Sequence, residues 1–181
     1  MMEQQATPFA RTSPAARRER TRQEFLPWCR TYLPHYFDCA YAPFHSRMAE
    51  AVGEAGMPTF VCAFRGAGKS VLLALARPLY RLLRGEVPYF IYGSQVQKLA
   101  AQNMDYVRLE LEHNPRLHSD YGEPEVTGAQ TEWTVRLARR GTTKLEAFGI
   151  GMSPRGRRHG ECRPLEFVGD DLEDAELARN P

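Results

Sequence analysis

The segment Ala63-Phe-Arg-Gly-Ala-Gly-Lys-Ser70 constrains the fold more than any other stretch of the chain. An apolar run, Pro58-Thr-Phe-Val-Cys-Ala-Phe64, leads into it, and a second one, Val71-Leu-Leu-Ala-Leu-Ala-Arg77, leaves it. Strand, glycine turn and helix in that order make a phosphate-binding loop. Gly66 and Gly68 allow successive backbone N–H groups to turn inward around a triphosphate at the start of a helix. Gly66, Ala67, Gly68, Lys69, Ser70 and Val71 are therefore candidate nucleotide-binding residues. Lys69 is spaced to reach the β- and γ-phosphates, and Ser70 to ligate Mg²⁺. The usual leading glycine is Ala63 here, and Arg65 lies inside the loop. It is either a solvated arginine or a group that stabilises charge on a transferring phosphoryl group.

With 181 residues, a single domain with a substantial core is the expectation. A net charge of +2 gives no strong global pull on nucleic acid. Arginines nevertheless cluster at Arg17, Arg18, Arg20 and Arg22, and again at Arg155, Arg157, Arg158 and Arg163. The first cluster reads as a solvated helix face, since Glu19 and Glu24 are interspersed. The second either is a solvated basic loop or meets the phosphate of DNA or of a neighbouring subunit's nucleotide, which the planar guanidinium fork matches. Four separated cysteines, Cys29, Cys39, Cys62 and Cys162, read as reduced thiols of a cytosolic protein. Cys62 is expected to be a small buried hydrophobe on the strand before the glycine loop. The spacings of Cys29, His35, Cys39 and His45 match no standard zinc pattern. No signal peptide opens the sequence and no run reaches transmembrane length.

Residues 1–42 are expected to form a polar tail and a helical lead-in, with residues 43–181 as a partial P-loop ATPase domain. Ser13-Pro14 marks a helix start, running toward Glu24. Residues 25–44 read as ordered but irregular. A short helix is expected over 45–54, a strand over 59–64, then a helix kinked or broken at Pro78 and stopped at Gly85. A strand over 88–93 precedes a helix capped by Ser94. That helix should bury Val96, Leu99, Ala100, Met104, Val107 and Leu111. Residues 118–130 read as loop, followed by strands at 131–137 and 144–150 that turn at Gly141. The basic glycine loop 151–160 and a last strand at 165–168 complete the pattern.

That last strand ends in Gly169-Asp170-Asp171-Leu-Glu173-Asp174. Carboxylates at the C-terminal edge of a strand suit a nucleotide site. Asp170 is the candidate on the Mg²⁺ side. Asp171, or Glu173, is the candidate for polarising the attacking water.

Together these stretches resemble the phage terminase large subunits, ATPase motors that package viral DNA. Arg65-Gly-Ala-Gly-Lys-Ser70 is similar to that family's variant Walker A motif. Ile91-Tyr-Gly-Ser94 with Gln97 and Ala100-Ala-Gln-Asn103 is similar to its next strand and helix. Gly149-Ile-Gly-Met-Ser-Pro-Arg-Gly156, with Arg163-Pro164, is similar to the glycine–arginine loop before Walker B. The resemblance runs from about Pro43 to Pro181. It implies a P-loop NTPase: an α/β three-layer sandwich with a mainly parallel sheet, incomplete at the C-terminus. It also implies ATP and Mg²⁺ as cofactors and His45 at the adenine-contacting position. The implied partners are double-stranded DNA, a portal protein and a small terminase subunit. Homo-oligomerisation of the full-length protein and a location in the cytoplasm of the bacterial host follow from the same resemblance. No coupling motif or nuclease carboxylate set can be placed, so the nuclease domain is expected to be absent. The readings that compete are another P-loop enzyme, helicase-like or a small-molecule kinase, and a non-catalytic nucleotide-binding remnant.

Overall fold

Ser13 caps the first helix as its sequence position requires: its Oγ accepts the N–H of Ala16 at 3.3 Å, and Pro14 fills the first turn. A computed structural model of the protein describes residues 9, 12–52, 58–138, 140–153 and 155–172. The chain divides into two compact units, Met1–Ala67 and Gly68–Pro181, with the division inside the glycine loop.

The first unit holds α1 (Pro14–Arg20), α2 (Phe25–Tyr32) and α3 (Pro43–Ala51). Helix α2 occupies a stretch expected to be irregular. Pro27 is tolerated because it sits in the first turn, where backbone N–H groups have no intrahelical partner. Trp28, Cys29, Tyr32 and Leu33 are fully buried and form the core of this unit. Arg17 departs from the expected solvated face. Its side chain is buried, lies 3.8 Å over the Phe9 ring, and donates to the carbonyls of Phe9, at 2.7 Å, and Thr12.

Residues 58–64 form no strand and join no sheet among the described residues, contrary to expectation. They run back along α3 instead. Thr59 Oγ1 donates to the Ala51 carbonyl at 3.2 Å, and the Phe44 and Phe64 rings meet edge to face at 5.5 Å. The residues are β-formers, but β propensity reports fit to a neighbouring strand and cannot supply one.

The second unit opens with a π-helical segment, Ser70–Ala76, continuous with α4 (Arg77–Arg84). The helix expected to kink or break at Pro78 runs on through it without a break. Pro78 falls in the first turn of α4, at the junction where hydrogen bonding changes from the π to the α pattern, and Arg77 N still donates to Leu72 O. Strand β1 (Tyr89–Ser94) is buried along its whole length. Helix α5 (Gln97–His113) buries Ala100, Ala101, Met104, Val107 and Leu111, but leaves Val96 and Leu99 exposed. Ser94 ends β1 and does not cap α5. A short helix α6 (Pro115–Tyr121) occupies part of the expected loop; Asn114 Oδ1 accepts from Arg116 N at 2.9 Å and starts it.

Strands β2 (Glu125–Ala129), β3 (Glu132–Leu137), β4 (Gly141–Gly149) and β5 (Glu166–Gly169) complete a sheet of order β2-β3-β4-β1-β5. Pairings β2–β3 and β3–β4 are antiparallel; β4–β1 and β1–β5 are parallel. This mixed sheet overturns the expectation of a mainly parallel sheet in a three-layer P-loop sandwich. The antiparallel half comes from the hairpins of residues 125–149, and the segment before the glycine loop contributes no parallel strand. Gly93 is fixed by close packing: a Cβ there would lie 2.3 Å from the Phe167 ring of the adjacent strand. No described helix is long and apolar enough to cross a membrane.

Candidate functional site

In the first unit, the glycine loop begins as a tight turn. Ala67 N donates to the Phe64 carbonyl at 3.3 Å, with Arg65 and Gly66 between them. Gly66 has φ +85°, the value that the third residue of a type II turn needs and that glycine adopts without strain. Arg65 is exposed and Ala67 buried. His45, on α3, reaches this turn. Its Nε2 lies 3.2 Å from the Ala67 carbonyl, and its Nδ1 lies 2.9 Å from Ala42 N. The ring contacts that the sequence implied for adenine are thus already made to backbone atoms.

In the second unit, Gly68 has φ +72° and is followed by Lys69 in right-handed helical geometry. A left-handed residue followed by a right-handed one turns neighbouring N–H groups to the same side, the geometry of an anion nest. Leu72 N donates to the Gly68 carbonyl at 2.9 Å, so the helix grows directly out of the loop. Lys69 and Val71 are half-buried, and Ser70 is exposed at the head of the π segment.

The acidic end belongs to the same unit. The π segment packs on β5. Asp170 N donates to the Gly93 carbonyl at 3.0 Å, which extends the β1–β5 ladder by one residue and leaves the Asp170 side chain half-exposed. Asp171 turns sharply, with φ +47°, an uncommon conformation for a non-glycine residue but one aspartate tolerates. Its carbonyl accepts from Gln95 N at 3.1 Å and from Ser94 Oγ at 3.3 Å, so its exposed carboxylate is held on a fixed backbone. Glu173 lies outside the described residues.

Two polar clusters were not legible in the sequence as partners. Arg81 of α4 pairs with Glu166 of β5, 85 positions away. Burial pushes the Glu166 carboxyl up from its ordinary value, outweighing the neighbouring Arg81 and Arg77 guanidiniums; burial also lowers Arg77. The second cluster surrounds Glu146 on β4, which is buried. It accepts from the Tyr89 hydroxyl, pairs with Lys144 Nζ at 3.2 Å, and pairs with Arg157. Arg157 comes from the basic glycine loop and also lies 5.6 Å over the Phe148 ring. This member of the loop is therefore bound to the sheet, while Arg155, Arg158 and Arg163 are exposed. Trp133 is fully buried on β3, in the core as its alternation predicts.

Among the described residues no group of three or more histidine, cysteine, aspartate or glutamate side chains is arranged to hold a metal ion. An oxygen pair such as Ser70 and Asp170 is a different donor set, and one whose chemistry suits Mg²⁺, which keeps several waters and takes few protein ligands. No protein-family model, curated protein or solved structure matches the chain.

Proposed function

We propose that this chain binds Mg-ATP and hydrolyses it as the ATPase part of a viral DNA-packaging motor of the terminase large-subunit kind. The observation that carries the reading is Gly68-Lys69-Ser70: a positive-φ glycine, a lysine and a hydroxyl at the head of a helix packed on the strand that ends in Asp170-Asp171. Chain continuity adds Arg65, Gly66 and Ala67. Backbone N–H groups of the loop hold the phosphates, and Lys69 and Arg65 stabilise the charge that develops on the γ-phosphoryl group. Ser70 and Asp170 are the residues that would hold Mg²⁺, which when bound neutralises phosphate charge. Asp171, or Glu173, orients the water. Double-stranded DNA, a portal protein and a small terminase subunit are the proposed partners, with assembly into a homo-oligomer and action in the bacterial cytoplasm.

Calorimetry of the full chain with Mg-ATP, alongside phosphate release with and without double-stranded DNA, tests this. Lys69→Ala is expected to weaken binding about ten- to a hundred-fold, the loss of one charge-assisted hydrogen bond to phosphate, and to abolish turnover. Unchanged heat and turnover in that variant would overturn the assignment.

One observation favours a second reading, a nucleotide binder without turnover: residues 58–64, which lead into the loop, form no strand among the described residues. Saturable Mg-ATP binding with no phosphate release, with or without DNA, would support it.

A further inference from the structure

We infer that His45 is a positioning residue that fixes the glycine loop through the Ala67 carbonyl, a role that rests on the nucleotide-binding reading of that loop but is built without any nucleotide. The ring bridges two backbone groups. Ala42 N–H can only donate, so His45 Nδ1 accepts and carries no proton. Nε2 must then bear the proton, and the atom facing it, the Ala67 carbonyl oxygen, can only accept. The two partners therefore select one neutral tautomer, and both ring nitrogens are spent in it. The ring is further confined by Phe44 at 4.2 Å and by Tyr41 at 5.8 Å.

The first of these bonds is half of a capping box: the third residue of α3 accepts the N–H of the residue before the helix. Glutamate and glutamine ordinarily do this. The second bond is the additional function. It ties the head of α3 to the last residue of the Phe64–Ala67 turn, one position before Gly68. The Phe44–Phe64 ring contact and the Thr59–Ala51 hydrogen bond hold the same segment along the same helix. Arg65 and Gly66, the loop residues proposed to meet phosphate, lie between these fixed points. An anion nest gains affinity when its N–H groups are set in advance and no ordering cost is left to binding.

The chemistry of the two bonds separates them by substitution. Glutamine accepts from Ala42 N through its carbonyl oxygen and donates to the Ala67 carbonyl through its amide nitrogen, so His45→Gln preserves both. His45→Glu keeps the cap but puts an acceptor against the Ala67 carbonyl. His45→Ala removes both. Amide exchange across residues 64–68 of the nucleotide-free full chain is the direct readout. Exchange is expected to be close to wild type in His45→Gln and about fivefold faster in His45→Glu and His45→Ala, the ratio expected from one hydrogen bond of about 1 kcal/mol. The melting temperature should fall in both variants, and further in His45→Ala, which loses the cap as well as the Ala67 bond. The dissociation constant for Mg-ATP should rise by the same ~fivefold factor in both.

Equal exchange in His45→Glu and wild type overturns the inference, as does failure of His45→Gln to restore protection. If His45→Ala does not fold, the glutamine and glutamate variants still decide. If the wild-type chain binds no Mg-ATP while the exchange pattern holds, the nucleotide reading fails and the positioning role stands.

Discussion

Cys62 is exposed in the segment before the glycine loop, whereas Cys29 is fully buried in the first unit. The sequence suggested the opposite for Cys62, because its apolar neighbours read as a buried strand. All four thiols are free, but only three are exposed. Burial holds the Cys29 thiol far above its ordinary value, and Asp38 beside Cys39 raises that thiol as well. Native protein at pH 8 should therefore react rapidly at Cys62 and Cys162, more slowly at Cys39, and at Cys29 only after denaturation. A disulfide-exchange reagent read by mass spectrometry checks the order, and rapid labelling of Cys29 in native protein would contradict it. At this scale the sequence displayed the glycines, Lys69, Ser70 and the aspartates, because their chemistry is local. It concealed Glu146 and Glu166, whose partners come from distant segments and carry no short spacing.

Elements with a strong internal period were legible. Trp133, Val135 and Leu137 alternate on β3, and α5 buries its residues at helical spacing. Strand β2 was missed because it is almost wholly exposed and offers no apolar alternation, only pairing to β3. The strand expected over 59–64 does not form among the described residues, where Thr59 and Phe64 are engaged with α3 instead. The Ser94 cap failed because its hydroxyl donates to Asp171, 77 positions away. Gly93 on β1 lies under the Phe167 ring of its parallel neighbour β5, so a Cβ there would meet that ring at 2.3 Å. Gly93→Ala should turn the Phe167 ring, already 56% exposed, further into solvent and cost up to about 1 kcal/mol. Chemical denaturation measures this. An unchanged midpoint would show that β5 shifts without cost.

Across the whole molecule, the chain divides into two compact units, and a half-antiparallel sheet replaces the parallel one. Each unit happens to contain one of the two tryptophans, Trp28 in the first and Trp133 in the second, both fully buried. Trp28→Phe and Trp133→Phe variants therefore report on one unit each. Their fluorescence unfolding curves in urea should have different midpoints, because two cores need not melt as one cooperative body. Coincident curves would refute this. The Glu146–Arg157 pair has a consequence for encounters with other molecules. It ties the basic glycine loop, 151–160, to β4 at Arg157, with Arg155 and Arg158 exposed on either side of the tie. A polyanion arriving at Arg155 or Arg158 would thus meet a surface whose shape is already set and whose reach is short. Recognition there would favour a rigid, regularly spaced row of charges over a floppy one.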